Sequence, residues 1–417
     1  MKARKLAWLL PCLLLAIPAH AAENDEIKAL KSQIRLLMQR VEALEQKQRM
    51  LDSSTVTTKV TKQPSTPALP VASTASTPSP APMAAATTAE NTGNPSISVI
   101  GTFTGSSLRG GNGVHKNSFL PLSEGEFVFG AAVDAHTRLD VTVTAANGGM
   151  AVEEGYLTAR LPEGFRLRAG RKFIPLGRAN EVHPHALVYA DTPNGLVNLF
   201  GPEKLVGEGV FIDHPIYLGD SAHSLLFGFF QNANDVAFDP TGKNRFGGMA
   251  RWTGMWDLDD TTTLELGGTY ISGRNGIAGS SRSNILGAHL ALKNSRFDHS
   301  GWSLQAEWNR NRINKAIGHS ITDGAYLLGE YDINRNWLAF ARYDFSRISG
   351  GMGHEDAYSA GIGWKLSEFQ SITLQYKHTR HTLAQTAANL GIGPGQKANE
   401  AFFRWVVAIG PHRPHSY

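Results

Sequence analysis

Trp337-Leu338-Ala339-Phe340-Ala341-Arg342-Tyr343-Asp344-Phe345 decides how the rest of the chain is read. Side chains alternate sides along a strand, so Trp337, Ala339, Ala341, Tyr343 and Phe345 share one face while Arg342 and Asp344 share the other. The pattern recurs upstream. In 302–309, Trp302, Leu304, Ala306 and Trp308 oppose Ser303, Gln305, Glu307 and Asn309. In 139–145, Leu139, Val141, Val143 and Ala145 oppose Asp140, Thr142 and Thr144. Leu264, Leu266 and Tyr270 likewise oppose Glu265 and Thr269, and Ile372, Leu374 and Tyr376 oppose Thr373, Gln375 and Lys377. About ten alternating residues is the length a tilted strand needs to cross a bilayer. A soluble antiparallel sheet with one wet face alternates in the same way. Two features separate the cases. Residues 97–409 hold about sixteen such strands with no second apolar face to build a core. Aromatic residues also gather near strand ends, at Trp256, Tyr270, Trp302, Tyr331, Trp337, Trp364 and Trp405, where membrane-interface girdles fall.

The joins between strands alternate in length. The odd ones are long: 106–124, 146–151, 174–206, 233–243, 273–282, 314–320, 348–354 and 383–397. The even ones are mostly tight, at His136-Thr137, Pro162-Glu163, Leu218-Gly219-Asp220, Leu258-Asp259, Asn334 and Ser367-Glu368, with 294–299 longer. A soluble sandwich has no reason to sort its loops by parity. A transmembrane barrel does, because one rim carries tight periplasmic turns and the other long external loops. The expected fold is therefore all-β, a transmembrane antiparallel β-barrel of about 16 strands over 97–417, preceded by a short α-helical coiled coil.

Three segments precede the barrel. Residues 1–21 have a basic start (Lys2, Arg4, Lys5), an apolar run from Leu6 to Ile17 and an Ala19-His20-Ala21 cleavage site, the pattern of a signal peptide. Cys12 is the single cysteine and lies inside that run after Pro11, so a lipoprotein is not expected and the mature chain has no thiol for disulfides or metal. Residues 22–52 carry heptads, with Ile27, Ile34, Val41 and Gln48 at a and Leu30, Leu37, Leu44 and Leu51 at d. The pairs Glu26–Lys31, Arg40–Glu45 and Lys47–Asp52 are of opposite sign, which favours a parallel homo-oligomer in register. β-branched a residues with Leu at d lean toward dimers by the general rule. Arg40-Val41 followed by Leu44-Glu45 instead resembles the short pattern of trimeric coiled coils. The oligomerisation residues are thus Ile27, Leu30, Ile34, Leu37, Val41 and Leu44, and a trimer is expected. Residues 53–96 are Ser, Thr, Pro and Ala with few large apolar residues, a linker that cannot bury a core.

On these features the chain resembles Gram-negative outer-membrane porins, over 97–417 by architecture and at its N-terminus by the coiled coil that some of them carry. The resemblance implies a water-filled channel for passive diffusion of small hydrophilic solutes or ions, seated in outer-membrane lipid. It also implies that the longest connection, 174–206, folds into the lumen as a constriction. Within it, His183-Pro184-His185, Asp191-Thr192-Pro193 and the later Gly207-Glu208-Gly209 resemble barrel proteins associated with metal or siderophore uptake, the alternative function. One feature departs from the porin pattern: Tyr417 is a terminal aromatic, but Pro411 and Pro414 interrupt the strand before it.

Inward parity names the channel-lining residues as Arg160, Arg166, Arg168, Lys172, Arg251, Glu265, Glu307, Arg342, Asp344, Lys377 and Arg404. Opposed acids and bases set a transverse field across a wet pore and bias which ions pass. A purely basic ladder would point to phosphate, and this mixture does not. The constriction loop contributes Arg178, Glu181, His183, His185 and Asp191, with the histidines and Asp191 expected opposite Arg166 and Arg168. His183 and His185 have no carboxylate or third histidine at diagnostic spacing, so they read as hydrogen-bonded loop histidines. No metal, cofactor or nucleic-acid partner is expected. A barrel hydrolase or an adhesin is the rival class. The chain has no Gly-x-Ser-x-Gly elbow, and its glycine runs 110–113 and 391–395 read as loop turns, so it is not expected to be an enzyme.

Overall fold

The computed structural model describes residues 95–146, 148–232, 234–238, 246–275, 281–296, 300–315, 317–350 and 353–410. The signal peptide, the heptad segment with Ile27, Leu30, Ile34, Leu37, Val41 and Leu44, and the linker lie outside them, as does the tail from 411.

The described strands are β1 Ser96–Gly110, β2 His115–Ser118, β3 Leu122–Ala132, β4 Thr137–Ala146, β5 Gly149–Arg160, β6 Arg166–Phe173, β7 Val206–Leu218, β8 Ser221–Asn232 and β9 Phe246–Asp257. They continue with β10 Thr262–Arg274, β11 Arg282–Ser295, β12 Gly301–Asn314, β13 His319–Asp332, β14 Trp337–Ile348, β15 His354–Ser367, β16 Gln370–Arg380 and β17 Ala398–Ile409. β2 belongs to the first long loop; the other sixteen form a closed antiparallel barrel. Closure runs through β1, which pairs with β3 on one side and with β17 on the other, from Val99↔Ile409 to Gly110↔Ala398. Closure therefore leaves no edge strand, as lipid requires.

The outer wall presents the apolar parity. Phe227, Phe229, Leu286, Leu327, Ile362 and Leu374 are exposed, and Trp337 stacks on Trp364 with ring centroids 5.3 Å apart. The short rim is closed by Asx turns. Asp134 Oδ1 accepts the amides of His136 and Thr137 at 2.8 and 2.7 Å, and Asn334 Oδ1 those of Asn336 and Trp337 at 2.9 and 3.0 Å.

Residues 174–205, between β6 and β7, run inside the barrel. Ile174, Leu176, Leu196, Leu199, Phe200 and Leu205 are buried against inward-facing Phe211, Phe230, Met249, Ile271 and Ile285. These residues form an apolar cluster inside the barrel, in a lumen whose inward parity alone read as wet. The loop supplies enough apolar surface to make inward-facing Phe and Ile favourable, and helices α1 (Asn194–Phe200), α2 (Asp235–Phe238) and α3 (Ala384–Leu390) add to it. Two glycines permit the close fit. A Cβ on Gly195 would lie 2.8 Å from the Ala325 backbone nitrogen, so α1 lies almost in van der Waals contact with β13. Gly177 turns at φ +60°, and a Cβ there would strike the Glu307 carboxylate.

Candidate functional site: the inner loop and the cavity beneath it

Ionic contacts hold the loop on several sides. Asp191 reaches β14 and β16: Arg342 Nη2 donates to both its carboxylate oxygens at 3.0 and 2.8 Å, Lys377 Nζ donates at 2.7 Å and Gln375 Nε2 at 2.5 Å. Behind it Arg342 also pairs with Asp344 at 2.9 Å and lies 4.3 Å over the Tyr189 ring, while Lys377 lies 3.6 Å from Glu400. Burial alone would raise the Asp191 carboxyl, but Arg342 and Lys377 hold it well below the usual carboxylate range. From β17, Arg404 donates to the carbonyls of Pro184, Tyr189 and Leu187, the first two at 2.8 and 2.7 Å. From β12, Glu307 Oε2 accepts the amides of Arg178 and Ala179 at 3.0 and 3.3 Å and the Tyr326 hydroxyl at 3.2 Å.

Toward the short-turn rim lies a cavity of about 660 Å³. Its charged lining includes Arg166, Arg168, Arg178, Arg251, Lys293 and Lys365 against Glu181, Asp213, Glu265, Glu330 and Asp332. Most of the central charges are paired. Arg166 and Arg168 share Asp213 at 2.6 and 2.7 Å, and Arg178 meets Glu265 at 2.6 Å. Glu181 pairs with Arg251 and lies 3.7 Å from Lys172. Burial opposes ionisation of Glu181, yet those two cations keep its carboxyl below its ordinary value.

All but one of the expected lining residues thus separate into two sets. Arg166, Arg168, Arg251 and Glu265 border the cavity together with the loop's Arg178 and Glu181. Lys172, Glu307, Arg342, Asp344, Lys377 and Arg404 are buried beneath the loop. They seat it and do not border this cavity, because a loop placed in the lumen takes the inward charges of the surrounding wall as its own partners. Arg160 is exposed, at the β5 end of the short-turn rim, and is not part of the cavity lining. The expected facing of His183, His185 and Asp191 by Arg166 and Arg168 is not what the structure has: those arginines pair with Asp213 of β7, and Asp191 faces β14 and β16. Both histidines are instead buried against β3 and β5 beside Glu126, Glu153 and Glu154. Asp213 and Glu153 escaped the sequence reading, and Gln375 was placed on the polar face of its strand but given no role. Asp213 has the right parity but is a single polar residue, Gln375 is a neutral side chain between Thr373 and Lys377, and Glu153 is on the wrong parity until the local register is known.

No family model matches the chain, and no curated protein sequence does. Solved structures do match its fold. Against the anion-selective porin of Comamonas acidovorans it has 10% identity and a TM-score of 0.53, covering 76% of this chain and 100% of the porin. Against OmpF of Salmonella typhi in complex with daunomycin it has 12% identity and a TM-score of 0.50, over 75% and 97% of the two chains. A loop-deleted OmpT, an outer membrane protein of Vibrio cholerae, gives 10% and 0.50 over 76% and 99%. The fold is therefore that of the sixteen-stranded outer-membrane porins. At such identities the likeness is one of architecture.

Proposed function

We propose that this protein is an outer-membrane channel, without enzymatic activity, through which small hydrophilic solutes or ions diffuse past the inner loop. The observation that carries this reading is the loop 174–205, held inside a closed barrel by ion pairs above a charged cavity of about 660 Å³. A loop that merely decorated the rim would not need buried wall cations to seat it. Charges of both signs in the cavity would hold a hydrated solute by its dipoles and bias ion passage. The heptads of 22–52 and the opposite-signed pairs Glu26–Lys31 and Arg40–Glu45 support a parallel homotrimer, with the coiled coil in the periplasm after removal of residues 1–21. The test is reconstitution in planar bilayers with asymmetric salt. Discrete, ohmic single-channel steps with a reproducible reversal potential are expected. A protein that inserts and folds but never conducts refutes the channel.

A further inference from the structure

Where the inner loop meets β3 and β5, six ionisable side chains converge: Glu124 and Glu126 from β3, Glu153 and Glu154 from β5, His183 and His185 from the loop. Two consecutive glutamates serve the same side because the β4–β5 register shifts at Thr142/Val143: Thr142 faces Glu154, Val143 faces Val152, and Glu153 is left over as the bulged residue. His183 Nδ1 lies 3.3 Å from carboxylate oxygens of both Glu126 and Glu153, and its Nε2 3.1 Å from Glu154. His185 Nδ1 lies 3.1 Å from Glu126. One ligand atom each from Glu126, Glu153 and His183, and likewise from Glu124, Glu126 and His185, lie within 4.8 Å of one another. Glu126 is common to both sets. In a tetrahedral zinc site with bonds of about 2.0–2.1 Å, neighbouring ligand atoms sit about 3.3–3.4 Å apart, close to the spacing seen here.

Charge points the same way. Four carboxylates face two imidazoles and the ammonium of Lys204, whose hydrogen bonds go to the carbonyls of Ala179 and Val182. Glu126 is only 1% exposed, and its Oε1 and that of Glu124 are buried with no hydrogen-bond partner. A buried carboxylate oxygen so placed is costly unless a cation compensates it.

We propose that Glu126, common to the set with His183 and Glu153 and to the set with His185 and Glu124, anchors one divalent first-row transition cation that clips the inner loop to the wall. Imidazole nitrogen and carboxylate oxygen without sulfur suit zinc, iron(II) or manganese(II), not copper(I). The ion is resident and not cargo, because none of the six side chains borders the 660 Å³ cavity. It fixes 183–185 to β3 and β5 while Asp191 is fixed to β14 and β16, so the intervening turn is anchored at both ends.

The test uses the full chain in detergent, stripped with chelator, reloaded with Zn²⁺, desalted and assayed for bound zinc. The wild type should retain one zinc per chain. Glu126→Gln and the double variant His183→Asn/His185→Asn should each bind at least tenfold more weakly while keeping heat-modifiable mobility. His412→Ala/His415→Ala, in the tail, should bind as wild type. X-ray absorption of the zinc-loaded wild type, which no folding defect can confound, should show nitrogen and oxygen ligands with imidazole scattering. Zinc lost on desalting the wild type, zinc retained in both site variants, or a zinc spectrum without imidazole would each overturn the site. A barrel that binds zinc but never conducts would refute the channel and leave the clip standing.

Discussion

Replacing Asp191 with Ala removes the carboxylate on which three wall side chains converge: Arg342 and Lys377 as cations and Gln375 as a neutral donor. Breaking a buried ion pair by deleting one partner costs about 3–5 kcal/mol, because the other charge is left uncompensated. Here the lower end applies. Arg342 keeps Asp344 at 2.9 Å, and Lys377 keeps Asn194 Oδ1 at 2.6 Å and Glu400 at 3.6 Å. A loss of about 3 kcal/mol, at about 1.4 kcal/mol per tenfold, raises local opening of this part of the loop roughly 150-fold. The barrel ladder is untouched, so the protein should remain heat-modifiable. Hydrogen exchange followed by mass spectrometry reads the effect directly. Peptides spanning 187–200, which include the amides of Ala190 and Asn194 that bond Gln375 and Asp344, should exchange about two orders of magnitude faster. Peptides from β14 and β16 should not change. Wild-type exchange in 187–200 would mean that apolar packing alone seats the loop, and the clamp reasoning would fail.

Four further outcomes are expected. Deleting 182–198 removes most of α1 and the Asp191 anchor and should raise single-channel conductance severalfold; unchanged conductance would place the constriction elsewhere. Arg166→Glu should move the reversal potential toward cation preference without unfolding the wall, because Arg168 still pairs with Asp213 at 2.7 Å; an unmoved potential would remove Arg166 from the ion path. Asp191 sets a pH expectation. Its carboxyl is lower in the folded protein than the ordinary 3.8, so its contribution is complete above about pH 4 and is lost only as pH falls through the lower folded value. Exchange of peptides within 187–200, the part that Asp191 anchors, should therefore be flat from about pH 4 to 7 after correction for the intrinsic rate, and a loss of protection there near pH 6 would argue against it. Leu37→Asp with Leu44→Asp should abolish the heptad seam and reduce the native mass by light scattering; a wild type already monomeric would dispose of the coiled-coil trimer.

The sequence by itself determined the barrel. Alternation such as that of 337–345 depends only on which side each residue faces, and loop parity depends only on chain order, so both survive without knowledge of any contact. The importance of 174–206 was legible too, from its length and its mixture of charges and apolar residues. What the loop touches was not. Asp191 meets Arg342 and Lys377 from positions 151 and 186 residues away, a pairing set by barrel circumference and not by spacing in the chain. Parity alone made Lys172, Glu307 and Arg404 channel lining, since it reports inward direction and cannot report that a loop covers them. Period-two counting also hid Glu153, which shares a side with Glu154 only because one extra residue bulges from β5. The histidines lacked ligands in their own segment because the carboxylates arrive from two other strands. Local periodicity reaches as far as the strand; which charges meet across the interior is decided by closure of the wall and the course of the loop within it.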